Sequence, residues 1–367
     1  MVRVAIIGCG AIGQKRARAL GPSDRLVAVA DVNAQRAQQL AAAYPGCAAL
    51  PAWQDCIARA DVDAVVVSTV NSALARVSLA AIRAGKHVLV EKPAARNPDE
   101  LYPVLEAARA AGVVVKVGFN HRFHPALQRA RELVDSGALG PLLFVRGRYG
   151  HGGRRGYDRE WRADPTVAGG GELLDQGVHL IDLSRWLLGD FTVVEGHVAT
   201  WFWQMSVEDN GFVSLRTATG QTAWLHASCT EWKNLFSFEI YGRYGKLHAE
   251  GLGGSYGVER LAYYRMLPQM GPPATTIWEY PGEDPSWQAE WEDFHACAET
   301  GRAPCGDLQD ALAALEVVHE VYRRSAAAAP RGSAPAAGVA AQAFEAWRGG
   351  KAEAPVPVAA SQGGKAG

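Results

Sequence analysis

Val4-Ala5-Ile6-Ile7-Gly8-Cys9-Gly10-Ala11-Ile12-Gly13 joins an apolar run to a GxGxxG turn, and a helical pattern follows from Gln14. A strand that enters spaced glycines and leaves as a helix is the arrangement that dinucleotide phosphates require. One glycine permits the tight turn, one lets a pyrophosphate approach the backbone, and one brings helix against strand. The helix start then offers unpaired N–H groups and the positive end of its dipole to the phosphates. Gly8, Gly10, Ala11, Ile12 and Gly13 are the phosphate-binding positions this predicts. Asp31 ends the next apolar run, near the spacing of about 20 residues at which a carboxylate accepts from the ribose hydroxyls. A carboxylate there repels a 2′-phosphate and favours NAD, whereas a swung Arg36 would accommodate NADP.

Outward from this turn, short apolar runs alternate with helical stretches. Residues 4–7, 26–30, 64–68, 87–90 and 113–117 are continuous in Val, Ile, Leu and Ala, as a parallel sheet covered on both faces demands. Helices are predicted over 14–20, 34–43, 73–84 and 98–111, with Gly85 and Gly112 at C-terminal caps. The alternation predicts an α/β fold beginning with a doubly wound Rossmann domain over residues 1–120.

After residue 120 the rhythm changes. Helices are predicted at 125–136 and 172–188, closed by Gly137 and Gly189, and strands at 142–149, 192–202, 211–217, 221–229, 235–241 and 246–250. Thr219-Gly220 and Tyr244-Gly245 suit tight turns between them. Consecutive hairpins predict a second, α+β domain over 121–325 built on an antiparallel sheet. Trp287, Trp291, Phe294 and Ala298 recur at helical spacing, and Asp307 suits the N-cap of a last helix ending near Arg324. Residues 326–367 turn rich in Ala, Gly, Pro and Ser, a composition expected to lack fixed structure, with a short helix conceivable at 339–347.

Composition narrows the function classes. A formal charge of -1 argues against nucleic acid or an anionic membrane as partner. No apolar run reaches the roughly 20 residues of a bilayer span. The N-terminus has no signal-peptide pattern, so the expected location is cytoplasmic. Cys9, Cys47, Cys56, Cys229, Cys297 and Cys305 include no C-x-x-C pair, which suits reduced thiols rather than a disulfide framework or zinc.

Two distant segments carry proton chemistry. Glu91-Lys92-Pro93 follows an apolar strand, placing Lys92 at the sheet edge where open α/β sheets bind ligands. Gly169-Gly170-Gly171 leads into a helical pattern in which Asp175 and His179 are i and i+4 and can face one ligand. Leu173, Gly177, Leu180, Ser184 and Leu187 form one stripe of that pattern, and Asp175, His179, Asp182 and Trp186 another. An ammonium, a carboxylate and an imidazole together can take a proton from an alcohol as hydride leaves it.

The glycine turn, Glu91-Lys92-Pro93, and Gly170-Gly171-x-x-x-Asp175-x-Gly177-x-His179-x-x-Asp182 together resemble the glucose-fructose oxidoreductase/inositol 2-dehydrogenase/MocA family, over residues 1 to about 325. The resemblance implies a Rossmann domain followed by an α+β domain with a large, mostly antiparallel, open sheet, and an NAD(P)-dependent dehydrogenase or reductase of sugars, cyclitols and related polyols. It implies a homodimer or homotetramer assembled through the open sheet face. Carried over by position, His179 is the general base, Lys92 polarises the reacting oxygen, and Asp175 binds a neighbouring hydroxyl while orienting the lysine or histidine. Thr69, Asn71, Glu91 and Lys92 fall to the cofactor. The family commonly has Thr-Pro-Asn-x-x-His where this chain has Thr69-Val70-Asn71-Ser72-Ala73-Leu74.

Residues 146–162 interleave arginines with Tyr149, Tyr157 and Trp161 on a glycine-rich loop. Guanidinium groups bind phosphate or carboxylate bidentately, so Arg154, Tyr157, Trp161 and Arg162 could grip a phosphorylated, uronate or nucleotide-linked sugar. An oligomerisation arm or a lid over a neutral sugar fits the same loop. Asn120, Arg122, Trp232 and Lys233 are further candidates for substrate binding, alongside His121. His121 and His124 lack the carboxylate cluster of a metal site, so no metal is expected. Besides a dehydrogenase, two classes share these motifs: an NAD-dependent glycosidase working through a transient 3-keto sugar, and a non-catalytic cofactor sensor.

Overall fold

The computed structural model describes residues 1–328. The remainder of the predicted tail, including the helix considered at 339–347, lies outside the described residues.

The first domain follows the alternation read from the chain. Its elements are β1 (Arg3–Ile7), α1 (Ala11–Arg18), β2 (Arg25–Ala30), α2 (Ala34–Ala42), β3 (Ala48–Leu50), α3 (Trp53–Ala58), β4 (Ala64–Val67), α4 (Asn71–Arg83), β5 (His87–Val90), α5 (Pro98–Ala111) and β6 (Val115–Val117). The strands form one parallel sheet in the order β3-β2-β1-β4-β5-β6. Strand order reverses beside β1, so the carboxyl ends of β1 and β4 open the crevice where dinucleotides bind in such sheets. The sequence reading missed β3 and α3, each too short to establish a period.

The second domain comprises α6 (Pro125–Asp135), β7 (Leu142–Gly150), α7 (Pro165–Ala168), α8 (Val178–Leu188), β8 (Phe191–Ala199), β9 (Asn210–Thr217), β10 (Thr222–Ser228), β11 (Leu235–Gly242), β12 (Lys246–Glu250), β13 (Glu259–Arg265), β14 (Ala274–Tyr280), α9 (Ser286–Thr300) and α10 (Leu308–Ala328). Eight strands form a sheet ordered β14-β13-β12-β11-β7-β10-β9-β8. It is antiparallel except where β7 runs parallel to β10. The predicted run of consecutive hairpins therefore breaks once: β7 inserts between β10 and β11, an arrangement no local turn signal encodes. Gly147 on β7 lets α8 close on the sheet, since a Cβ there would stand 3.0 Å from Leu180 and 3.1 Å from Phe238. β13 and β14 went unread: β14 is the edge strand and carries mostly exposed residues, and β13, paired between β12 and β14, has too irregular a burial pattern to show a period of two.

The packing does not follow the division at residue 120. Trp291, Phe294 and Cys297 of α9 are buried against Val4, Ile6 and Leu26 of the first sheet. Leu308, Leu315, Val318 and Val321 of α10 join a core that also contains Leu74 and Leu101 from one side and Leu173 and Leu180 from the other. Burying such side chains contributes on the order of 1.5–3 kcal/mol each, and here the gain couples the two domains. All six cysteines are free, and no helix among the described residues is long and apolar enough to cross a membrane.

Candidate active site

The glycine turn has the form a pyrophosphate needs. Gly8 adopts φ 98°, and a Cβ there would stand 2.4 Å from the Ser68 carbonyl oxygen. At Gly13 a Cβ would lie 2.0 Å from the Gly8 carbonyl oxygen, so helix meets strand only because both lack side chains. Gly10, by contrast, has nothing within 4 Å of its Cβ position, leaving the backbone open to a ligand. Gly10 is also the N-cap of α1 and supplies no side-chain cap, so Ala11, Ile12 and Gly13 start the helix with N–H groups available to phosphate. Ser68, not singled out from sequence, anchors the turn through Oγ to the Gly8 carbonyl at 2.8 Å. The Asp31 carboxylate accepts from the Cys9 N–H at 2.6 Å and the Asn33 N–H at 2.7 Å. It stands between the glycine turn and the start of α2, where an adenosine ribose would lie. These residues fit NAD.

Lys92 follows β5 at the same sheet edge, and its bond to Pro93 is cis. Its Nζ donates to Asp175 Oδ1 at 2.6 Å and to the Asp175 carbonyl. Arg162 Nε approaches the other carboxylate oxygen of Asp175 at 3.1 Å. Burial works against the charge on Asp175, but Lys92 and Arg162 outweigh it and hold the carboxyl below the usual range. Asp175 thus orients the lysine from across the domain junction.

Asp175 does not sit on a plain α-helix. Leu173–Gly177 forms a π-helical turn that runs into α8, which breaks the two stripes expected from α periodicity. Both stripes turn inward at their centres, with Leu180 and Ser184 at 0 %, His179 at 3 % and Asp182 at 1 % exposure, while Asp175, Trp186 and Leu187 are half-buried. His179 stacks on His121, with ring centroids 3.8 Å apart and planes inclined by 24°, and Phe119 and Tyr149 meet its edges. Burial, then the nearby Lys92 and His124, push its pKa well below the ordinary value. The imidazole is therefore neutral and able to take a proton.

A pocket beside this set is lined by Tyr157, Trp161, Arg162, Glu172, Asp175 and neighbouring backbone. Three of the predicted substrate residues, Tyr157, Trp161 and Arg162, are thus brought together. Asn71 also lines it, but its amide donates to the Ala168 carbonyl at 2.9 Å and pins α4 to the second domain. Thr69 Oγ1 donates to the adjacent Val70 carbonyl at 3.2 Å. Leu74, where the family commonly has histidine, is fully buried in the shared core.

Other predicted residues are committed elsewhere. Arg122 is 4 % exposed and makes a bidentate pair with Asp182 at 2.6 and 2.8 Å, and it does not line the pocket. Asn120 is buried and donates to Ser286 Oγ at 2.9 Å, fixing the start of α9. Glu91 accepts from Arg16 at 2.6 Å, and Arg16 also pairs with Glu290 at 2.6 Å, so the Glu91 carboxylate belongs to a buried ion triad. Arg154 is exposed and paired with Glu160. Trp232 and Lys233 face solvent, Trp232 with its edge against Phe202, and neither lines the pocket. Such commitments depend on contacts distant in sequence. Glu172 was overlooked because it occupies a variable position of the glycine-rich motif.

Comparison with known proteins agrees with this geometry. Residues 2–119 match the oxidoreductase family with an NAD-binding Rossmann fold, and residues 127–248 match the GFO/IDH/MocA C-terminal domain. Levoglucosan dehydrogenase of Pseudarthrobacter phenanthrenivorans is 31% identical over 202 residues, 52% of this chain and 50% of that protein. D-glucoside 3-dehydrogenase of Escherichia coli is 30% identical over 249 residues, 62% of this chain and 70% of that protein. In several of the curated relatives the match spans about half of their length. The solved structure of levoglucosan dehydrogenase in complex with NADH and levoglucosan superposes with a TM-score of 0.81 at 23% identity, over 89% of this chain and 97% of that one, and so shares the fold. Two domain matches in the right order, on a Rossmann sheet followed by a large open sheet, place this chain in the Gfo/Idh/MocA oxidoreductase family.

Proposed function

We propose that this protein is an NAD-dependent oxidoreductase interconverting a secondary hydroxyl and a ketone on a neutral sugar or cyclitol. The observation that carries the reading is the Lys92–Asp175 pair, formed across the two domains beside a buried, neutral His179. NAD, when bound, supplies the hydride acceptor. His179, unprotonated in its buried site, takes the hydroxyl proton as hydride leaves the same carbon. Lys92 spends two donors on Asp175 and retains a third for the reacting oxygen, whose developing negative charge it stabilises. Asp175 accepts from a neighbouring hydroxyl while holding the lysine in place. In reduction, protonated His179 returns the proton.

The preference for a neutral substrate comes from local charge. Lys92 and Arg162 are both countered by Asp175, Arg154 is turned to Glu160, and Arg146 to Glu239. Of these arginines only Arg162 lines the pocket, and its charge is met by Asp175. Asp31 supports NAD over NADP. The open face of the large sheet exposes Phe144, Trp224 and Ile277, which supports assembly of two or four copies through that face.

The test is NADH fluorescence across a panel of sugars, cyclitols, uronates, sugar phosphates and nucleotide sugars. Net NADH formed in step with ketone from a neutral polyol is expected. Turnover confined to anionic sugars would reject the neutral assignment. Release of an aglycone without net NADH would assign the same geometry to a glycosidase, and no turnover with bound NADH would leave a sensor.

A further inference from the structure

Glu172 lines the same pocket and is left unused by the proton-handling set. It is 2 % exposed, and its Oε1 is buried without a hydrogen-bond partner. Its backbone is pinned. The Glu172 N–H donates to the Glu208 carbonyl at 3.0 Å, and the Glu208 carboxylate accepts from the N–H groups of Gly171 and Leu173. A Cβ at Gly171 would lie 2.0 Å from the Glu208 carbonyl oxygen, so chain and carboxylate are locked together.

His151 faces Glu172 from the end of β7. The Gly153 N–H donates to His151 Nδ1 at 2.9 Å, which assigns the hydrogen of the neutral ring to Nε2. That Nε2 lies 3.5 Å from Glu172 Oε1, too far for a strong hydrogen bond. The two groups border one space without satisfying each other.

We propose that Glu172, backed by His151, binds a second hydroxyl of the polyol, on a carbon next to the one oxidised, and makes that hydroxyl a requirement for turnover. The inference rests on the oxidoreductase reading above. Asp175, three residues further along the same segment, holds Lys92 and lines the same pocket as Glu172.

The state of Glu172 suits this role. Burial, then the charge on Asp175, raise its pKa well above the ordinary value, with Glu208 adding to the rise and Lys92 and Arg162 opposing it. The phenols of Tyr149, Tyr157 and Tyr256 and the thiol of Cys229 also face it, and all are pushed up in pKa and uncharged. His151 is held neutral mainly by burial. A neutral carboxyl both donates and accepts, as a hydroxyl does. A deoxy carbon would leave Oε1 unpaired, the condition under which hydrogen-bonding sites reject analogues most strongly.

The experiment compares wild type, Glu172→Gln and Glu172→Leu on myo-inositol, D-glucose and methyl α-D-glucoside and on their mono-deoxy analogues. Wild type is expected to prefer the hydroxyl at one position next to the reacting carbon by on the order of 100-fold or more in kcat/KM. Glu172→Leu should lose that preference by failing on the hydroxylated compound, with the deoxy compound changed less than about threefold. Glu172→Gln, which keeps a donor and an acceptor, should stay within about tenfold of wild type. Thermal melting and NADH titration report that each variant is folded. Equal losses on every analogue, or no loss, would overturn the inference and leave the oxidoreductase reading standing. No polyol turned over by wild type would overturn both.

Discussion

The imidazoles of His121 and His179 lie face to face, 3.8 Å between centroids, inside a buried site that also holds Lys92. Two imidazolium ions cannot share that space, because each would lack solvent and face like charge. His121 is pushed well below its ordinary pKa by burial, then by His179, His124 and Lys92. The stack holds the His179 ring in place, and burial, with Lys92 and His124 nearby, keeps it unprotonated.

A lowered histidine pKa extends the neutral form to more acidic pH. The acid limb of kcat/KM for polyol oxidation should therefore fall below the unperturbed value of about 6.5. An acid limb at or above that value, lost in His179→Ala, would contradict the assignment. His179→Ala should lower turnover by about 10²–10⁴-fold with NADH binding intact.

Lys92→Met removes the cation that holds Asp175 and polarises the reacting oxygen. Turnover should drop by on the order of 10²–10³-fold, and the Asp175 carboxyl should titrate at higher pH, because burial then meets only Arg162. Wild-type turnover in a folded variant would exclude the lysine from the reaction.

Arg16 is 1 % exposed between Glu91 and Glu290. Removing the cation strands two carboxylates in the interior, so Arg16→Met should destabilise the protein by about 3–5 kcal/mol. Urea denaturation measures this. A change below about 1 kcal/mol would mean the triad is not the structural tie described.

Asp31→Ser should weaken NAD binding and raise the NADP/NAD ratio of kcat/KM by roughly tenfold or more, about 1.4 kcal/mol. An unchanged ratio would show that Asp31 does not read the ribose.

Trp224→Glu places charge on the open sheet face, where Trp224 is 67 % exposed. Light scattering should report a shift toward smaller species without loss of the melting transition. A wild type that is monomeric at micromolar concentration would refute assembly through this face.

The Rossmann half was legible because its signals are local. Continuous Val/Ile runs, the glycine turn and glycine caps each act within a few residues, and α2 and α5 fall close to their predicted bounds. Lys92, Asp175 and His179 were singled out through motif spacing; Lys92 and Asp175 hydrogen-bond, and His179 is buried on the helix that follows. The buried partners of Arg122, Asn120 and Glu91 were not legible, because a polar side chain in a motif looks alike whether it meets ligand or a distant residue.

What the sequence determined by itself was the parallel sheet and the cofactor turn, since backbone preference and hydrophobic period are written residue by residue. Only the tertiary structure decided that β7 parts β10 from β11, that a π turn aims Asp175 at Lys92, and that His121 lies on His179. Those outcomes depend on which distant surfaces exclude water together, and that choice is made by the whole chain at once.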